Sequence, residues 1–545
     1  MLKNIKLDIF IPIFLFILVL ITKIPSLNLP YYWDDFNYVI PAVDHVFKVE
    51  ITPFLWEYGL GHTPFFYLFT GLIFRLFGDS LIISHLVIVI FSFLAIYFTY
   101  LIGKELFNKR VGIIAALILL FIPMFFSFSG LFNLEMPLTA LIIMSLYFSI
   151  INKHMLYVLF GSLAVLTKET AIGAVVAILF IKILKEKNKL KIALIYSVPI
   201  LFFLLWIMLI KIHYGLFFNP IGTSIIIINP IKNFFNLLII LKFIFFDDFR
   251  WIITPIFFIQ FVNIKKIKNF NKIIIPLLIA LISFIIFLNV QDILSKYSNL
   301  FPNIESYLNL IRNFSILFSL IVFIILISFK EIIKFTLNKR LWELFILIII
   351  FIGVHTFVIP VTPRYLLPIF PAIMILIANS ISNTFKNKSY IIMLIFIIIS
   401  AMQFYGASDK VGFTLENNLE YQDFIKVRQL GASYLETNYP NATILTTFPL
   451  SLDLSHSYGK YVGRELNIVT IDHYGGLVNK NYTQFLHPET IPKKQINQSK
   501  IDIYYHSPQE FPTKEVYDIK DKLNLTLIKR FEINNKSTEI YLVSK

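Results

Sequence analysis

Two adjacent acids, Asp34 and Asp35, follow the first long apolar run and are flanked by aromatic residues. Neighbouring carboxylates repel each other, and apolar surroundings raise their pKa, so such a pair serves as a general base or as half of a metal site. The alternative is a cap for an amphipathic helix over 36–48, but a cap needs only one acid. We therefore predict a catalytic role for both.

A third acid, Glu135, stands at the mouth of the fourth apolar run. A carboxylate just inside such a run is costly, and Asn133 can supply the helix cap instead. We predict that Glu135 joins Asp34 and Asp35 in one acidic catalytic centre, although about a hundred residues of sequence separate them.

Two cations also lie at the ends of apolar runs. Lys168 stands in a hairpin turn, where it can bind a lipid phosphate or simply pair with Glu169. Arg364, followed by Tyr365, precedes a later run, where it can bind phosphate through two hydrogen bonds or merely extend along a helix end. We predict that Lys168, Arg364 and Tyr365 bind a donor phosphate.

The segment that follows Asp35 carries two further candidates, Glu57 and His62. His62 can hydrogen-bond an acceptor or ligate a metal, and its alternative is a structural role. We predict Glu57 and His62 as acceptor or metal contacts. No cofactor is certain, and a divalent cation stays open.

The elements that carry these residues must be membrane helices. Hydrophobic residues make up 57% of the 545 and charged residues only 15%. Most of the apolar runs are about 17 to 23 residues long, as a helix needs to cross a bilayer. The absence of cysteine excludes thiolate chemistry. The net charge of +15 does not indicate nucleic acid, because the positive residues lie in short loops between apolar runs.

The apolar runs predict about thirteen transmembrane helices. They lie near 9–25, 81–103, 111–127, 134–151, 155–167, 170–184, 190–210, 248–263, 273–289, 307–329, 341–359, 365–383 and 390–405. Lysine and arginine accumulate in alternate loops, which predicts a cytoplasmic N-terminus and, after an odd number of spans, an extracytoplasmic tail. Residues 1–405 are thus predicted to form a transmembrane domain, with a long first outer loop at 26–80.

The tail, residues 406–545, has equal numbers of acidic and basic residues, so the excess positive charge belongs to the membrane part. Helical spacing covers 422–439, and β-rich runs follow at 442–449, 467–472, 501–506, 523–532 and 538–543. We predict an extracytoplasmic soluble α/β domain. It contains no glycine-rich phosphate loop, so nucleotide binding has no support.

Several motifs of the chain occur in the order seen in membrane glycosyltransferases of the GT-C fold. They are Trp33-Asp34-Asp35, His62-Thr63-Pro64-Phe65, Arg75-Leu76-Phe77-Gly78, Leu134-Glu135-Met136-Pro137, Leu166-Thr167-Lys168-Glu169 and Arg364-Tyr365-Leu366-Leu367-Pro368. Residues 1–405 most closely resemble the protein O-mannosyltransferase and lipid A aminoarabinose transferase superfamily.

This resemblance implies a polytopic all-α enzyme of the cell membrane. It would transfer a sugar from a polyprenyl-phosphate donor to a protein, lipid or glycan acceptor on the outer face, with inversion. The family commonly has Asp-Glu where this chain has Asp34-Asp35, which leaves open which acid is the base. Its second acid is usually Asp, so the longer Glu135 has an uncertain reach. Membrane lipids are expected partners and nucleic acids are not.

Two other functions compete with this interpretation. Oligosaccharyltransferases share the fold class but use a Trp-Trp-Asp-type motif in a large outer domain, and this tail contains no tryptophan. A transporter or flippase of a lipid-linked or anionic substrate would place ionisable residues near span centres and show two related halves. The predicted spans are mostly free of charge and have no evident internal repeat.

Overall fold

The computed structural model describes every residue except 1, 33, 57–61, 218–227, 246, 248–278, 280, 283–340, 359–361, 406–411, 448–449, 472–489, 492–500, 509–522 and 545. The described residues before the tail are almost all helical. Their helices are α1 (Leu2–Lys23), α2 (Ile40–Lys48), α3 (Phe65–Phe77), α4 (Leu81–Leu106), α5 (Lys109–Phe121), α6 (Pro123–Phe128), α7 (Glu135–Ile150), α8 (His154–Val165), α9 (Ala171–Lys185), α10 (Lys189–Tyr196), α11 (Val198–Tyr214), α12 (Pro230–Phe245), α13 (Trp342–His355), α14 (Phe370–Phe385) and α15 (Ser389–Ala401).

These helices follow the predicted spans closely. The spans 248–263, 273–289 and 307–329 lie almost entirely outside the described residues, and each of the others overlaps a helix. Three continuous helical stretches are long and apolar enough to cross a membrane, within the described part of the chain: Leu81–Leu106, Lys189–Tyr214 and Pro363–Ala401. The count of about thirteen spans therefore stays a prediction.

Proline explains one of the shorter helices. The predicted span 111–127 is divided at Ile122, and Pro123 begins α6. A proline inside a helix removes a backbone hydrogen bond and clashes with the preceding turn, whereas the first position of a new helix tolerates it. The sequence pattern predicted one span here because both parts are equally apolar.

Small residues bring α4 and α5 into close contact. A Cβ atom on Gly103 would lie 2.8 Å from the Cα atom of Gly112, and one on Gly112 would lie 2.5 Å from the carbonyl oxygen of Tyr100. Membrane helices have little hydrophobic drive to associate, so this close backbone approach supplies packing contacts that larger residues would prevent.

The first loop, residues 26–80, is largely helical. After Asp34 a π-helical turn, Asp35–Val39, leads into α2, and α3 packs across it. The predicted amphipathic helix over 36–48 is therefore present. Arg75 on α3 donates from its Nε atom to the carbonyl oxygen of Val46 at 2.8 Å, which satisfies the end of α2.

The described residues of the tail form a six-stranded sheet in the order β3-β2-β1-β4-β6-β5. Its strands are β1 (Ile444–Thr447), β2 (Ile468–Ile471), β3 (Thr490–Ile491), β4 (Ile503–His506), β5 (Leu525–Ile533) and β6 (Lys536–Val543). Strand β1 is parallel to β2 and β4, while β6 is antiparallel to β4 and β5. Helix α16 (Glu420–Asn438) covers the predicted helix 422–439, and the short α17 (Leu450–Ser455) follows β1.

Each of the five predicted β runs contains a strand, and β3 is a strand that the sequence did not predict. Two residues are too few to give an alternating pattern, so β3 has no sequence signal.

The tail packs directly on the first loop. The ring of Phe36 lies 5.3 Å from that of Tyr458, and a Cβ atom on Gly459 would lie 2.3 Å from the Phe36 ring. Lys460 forms an ion pair with Asp79 at 3.1 Å. The residue that follows the acidic pair is therefore held by the tail.

Candidate active site

Arg364 is the centre of a cluster of charged side chains. It lies in a short helical turn, Pro363–Ile369, that leads into α14. Its Nη2 atom bonds the carboxylate of Asp34, and its Nη1 atom donates to both oxygens of Glu416 at 3.0 and 3.2 Å. Its Nε atom lies 3.8 Å from Glu135 Oε1. A single guanidinium thus gathers acids from three separate parts of the chain.

Glu135 connects Arg364 to Lys168. The Lys168 Nζ atom donates to Glu135 Oε1 at 2.7 Å, and both side chains are buried. The side-chain oxygen of Asn133 accepts from the backbone N–H of Glu135 at 3.1 Å, so Asn133 supplies the cap as expected. The Glu135 carboxylate is thereby left to the cations.

Lys168 lies in the turn between α8 and α9. Its Nζ atom is 4.9 Å from the centre of the Tyr365 ring, a cation–π contact. Burial disfavours the charge of Lys168, but the charge and hydrogen bond of Glu135 together with the interaction with Tyr365 outweigh that cost, so the pKa of Lys168 is raised. The alternative pairing of Lys168 with Glu169 is wrong, because Glu169 bonds His62 instead.

Asp34 and Asp35 lie at the start of the π-helical turn but differ in environment. Asp34 makes no side-chain capping bond, so the interpretation of this acid as a helix cap is wrong. Its side chain is 24% exposed. Asp35 is buried, and burial, followed by the nearby charges of Glu416 and Asp34, raises its pKa well above the usual range for a carboxyl group.

His62 lies beside this cluster. Its Nδ1 atom is 2.9 and 3.0 Å from the two oxygens of Glu169, and the adjacent backbone is held by the N–H of Phe65, which donates to the Leu166 carbonyl at 2.7 Å. The pair ties the first loop to the turn that carries Lys168. Glu57, the other predicted contact, lies outside the described residues.

No metal site is evident within the described part of the chain. Among those residues no three histidines or carboxylates converge on one point that could hold an ion. The question of a divalent cation therefore rests on the sequence pattern alone.

The sequence predicted most of this cluster but missed two members. Glu416 belongs to the tail, which was predicted to be a separate soluble domain, and an isolated acid there carries no signal. Tyr67 on α3 is buried, and its hydroxyl has no hydrogen-bond partner among the residues described. It interacts electrostatically with Glu169, Glu135 and Asp34. An aromatic residue on an apolar helix gives no warning of such a position.

Residues 61–212 match the family model of dolichyl-phosphate-mannose-protein mannosyltransferases. The matched segment contains Tyr67, Glu135 and Lys168 of the cluster and His62 beside it. No curated protein sequence matches the chain.

Two solved structures of ArnT from Cupriavidus metallidurans resemble the protein over 97% of both chains. The apo structure is 13% identical with a TM-score of 0.52. The structure bound to undecaprenyl phosphate is 14% identical with a TM-score of 0.49. The apo structure shows that the two proteins share a fold. The predicted resemblance to GT-C membrane glycosyltransferases of this type is confirmed.

Proposed function

We propose that the protein transfers a sugar from a polyprenyl-phosphate donor, dolichyl or undecaprenyl, to a hydroxyl group of a protein, lipid or glycan acceptor. The observation that carries this proposal is a row of contacts in which Asp34 bonds Arg364, Arg364 lies beside Glu135, and Glu135 bonds Lys168. A base and two phosphate-binding cations thus meet at the ends of apolar helices, where a lipid-linked substrate would lie.

Departure of the lipid phosphate needs positive charge. The donor already carries its leaving group, so the protein has to neutralise the charge that develops on the phosphate oxygen as the glycosidic bond breaks. Arg364 and Lys168 are suited to this, because charge-assisted hydrogen bonds are strong where water is excluded. Tyr365 stacks beside both cations and fixes their position.

Attack by the acceptor hydroxyl needs a base. We infer that Asp34 is this base, because it is the more exposed of the adjacent acids and a base must reach the acceptor. Burial raises the pKa of Asp35 well above its usual range and so disfavours its ionised form, which makes it the poorer base of the two. In-line displacement from the face opposite the phosphate would invert the anomeric carbon.

The orientation in the membrane is part of the proposal. The charge asymmetry of the loops supports a cytoplasmic N-terminus, with the cluster and the tail on the outer face. A reporter fused after residue 405 should read out as extracytoplasmic. A cytoplasmic readout would reverse the orientation and place the reaction on the inner leaflet.

A transporter or flippase is the second candidate, supported by the polytopic architecture alone. The decisive experiment supplies radiolabelled polyprenyl-phosphate sugar to the purified protein in liposomes. Release or transfer of the sugar supports the enzyme, and movement of intact donor across the bilayer without turnover supports the carrier.

The same assay tests the residues. Asp34→Asn and Glu135→Gln should lose transfer, whereas Glu532→Gln makes an equivalent change at an exposed surface ion pair of the tail and should not. Wild-type transfer in both site variants would contradict the proposed roles.

A further inference from the structure

Glu416 brings a tail carboxylate into the charged cluster. Both of its oxygens accept from Arg364, and its side chain is only 6% exposed. The backbone is fixed as well, because the hydroxyl of Ser127 on α6 donates to the carbonyl oxygens of Glu416 and Asn418. Glu416 is therefore held against Arg364 from both sides.

The cluster has more acids than cations. Leaving aside Asp35, whose ionised form is disfavoured, the three carboxylates of Asp34, Glu135 and Glu416 outnumber the two cations, Arg364 and Lys168. A lipid phosphate would add further negative charge to a buried site that already has an excess of acid. Repulsion between buried like charges is expensive, so the phosphate needs an acid to leave Arg364 or to take up a proton.

Of these acids, Glu416 is the one that can release Arg364 to a phosphate. Asp34 is proposed as the base, and Glu135 is bound to Lys168. Glu416 contacts no cation except Arg364 among the described residues, and its bonds use the Nη1 edge of the guanidinium. Two oxygens of a phosphate at that position could accept from Nη1 as the two carboxylate oxygens do now.

We propose that Glu416 is a placeholder for the donor phosphate: it holds Arg364 in the empty site and yields that contact, taking up a proton from solvent, when the phosphate binds. This inference rests on the proposed function and names a positioning residue that acts through Arg364. The one covalent change is the O–H bond that forms when ionised Glu416 takes up a proton from solvent, so one proton is gained for one ion pair lost at the pH values where Glu416 is ionised.

The surroundings of Glu416 support proton uptake. The charged groups that face it are Arg364, Asp34, Asp35 and Glu135. Burial, followed by the charges of Asp34 and Glu135 and opposed by Arg364, raises the pKa of Glu416 to about 8. The carboxyl group can thus change its charge near neutral pH.

The acids that follow Glu416 in the chain, at the start of α16, have other partners. Glu420 pairs with Lys536 at 2.9 Å, and Asp423 accepts from the side-chain amide of Asn534 at 3.0 Å. They do not substitute for Glu416.

The test measures binding of polyprenyl phosphate without sugar to the wild type, Glu416→Gln and Glu532→Gln between pH 7 and 9. In the wild type, ionised Glu416 opposes the phosphate above pH 8, so affinity should fall about 10-fold across this range by proton linkage to a pKa near 8. Glu416→Gln keeps the shape without the charge and should lose this fall, while Glu532→Gln should behave as the wild type.

A second measurement needs no variant that might misfold. Binding heats at pH 8.5 in buffers of different ionisation enthalpy should show uptake of on the order of one proton by the wild type. An equal fall in affinity with pH in Glu416→Gln and the wild type, or binding by the wild type without proton uptake, would overturn the inference alone. Absence of binding by every protein at pH 7 would overturn the proposed function as well.

Discussion

Within the described part of the chain, Arg428 is buried and Arg364 is 11% exposed, and both bind carboxylates in different ways. In the tail, Arg428 on α16 binds Asp453 side by side, through bonds of 2.6 and 2.5 Å from its Nε and Nη2 atoms. Aromatic rings of Phe424 and Tyr461 cover its guanidinium. At the cluster, Arg364 contacts three acids from distant segments. Arg428 binds both oxygens of one carboxylate, whereas Arg364 lies among acids that outnumber the cations.

This difference separates a structural ion pair from a site that can bind a ligand. The buried ion pair of Arg428 and Asp453 connects α16 with α17, which is a structural role. A surplus of carboxylates is costly, because each unpaired negative charge disfavours the ionised form of the neighbouring acids and raises their pKa. Such perturbed groups cluster at functional sites. The surplus itself therefore indicates function, and four substitutions test whether the two arginines differ in this way.

The largest expected effect is on transfer in Asp34→Asn. The amide keeps the size and polarity of the acid but cannot accept the acceptor proton, so we expect a rate loss of about 10²–10⁴-fold, or about 3–5 kcal/mol of barrier. Sugar transfer from the lipid-phosphate donor measures it. Asp453→Asn makes the same chemical change at the tail pair and should keep the transfer rate of the folded protein. Equal losses in both would mean that Asp34 is structural too.

The next effect concerns stability rather than rate. Arg428→Met leaves Asp453 buried without a cation, which should lower the free energy of unfolding by about 3–5 kcal/mol. Denaturation in detergent should detect this, with normal transfer per folded molecule. The double variant Arg428→Met with Asp453→Leu removes both charges and should recover much of the loss. If the double variant is as unstable as Arg428→Met alone, the loss does not come from leaving Asp453 without a cation, and the ion pair itself stabilises the tail.

The sequence predicted the members of the cluster better than their partners. Asp34, Glu135, Lys168 and Arg364 could be found because an ionisable residue at the end of an apolar run is expensive and hence informative. Their contacts could not, because hydropathy places residues at a membrane depth but does not determine which helix ends meet. The sequence therefore suggested Glu169, the next residue, as the alternative ion-pair partner of Lys168, whereas in the structure Lys168 pairs with Glu135.

The tail marks the limit of prediction more clearly. Its strands and α16 followed from periodicity, since alternation and helical spacing are local properties. Its packing on the first loop is a long-range property, and Glu416 reaches Arg364 only through that packing. Because the boundary at residue 406 was predicted from composition alone, Glu416 was assigned to the tail and not to the cluster.

A smaller effect is expected on donor binding in Lys168→Ala. Loss of one charge-assisted contact with phosphate should cost roughly 1.5–3 kcal/mol, or about 10- to 100-fold in the dissociation constant. Lys460→Ala is the matched control, because Lys460 forms a partly exposed ion pair with Asp79 away from the cluster. Unchanged binding of polyprenyl phosphate in Lys168→Ala would remove this lysine from the phosphate site.

The smallest effect is expected from Asp35→Asn, although Asp35 is adjacent to the proposed base. Burial raises the pKa of Asp35 well above the usual range, and the charges of Glu416 and Asp34 add to this, so the protonated form of the carboxyl group is favoured. An amide imitates a protonated acid, since both are neutral and both donate a hydrogen bond. Transfer at pH 7 should then stay within about threefold of the wild type, by the same logic that makes removal of a real base cost 10²–10⁴-fold. As pH rises, the wild type should lose activity when Asp35 ionises beside the departing phosphate, and Asp35→Asn should lose less. A hundredfold loss in Asp35→Asn at pH 7, with Asp34→Asn nearly silent, would instead make the buried acid the base and the exposed one its support.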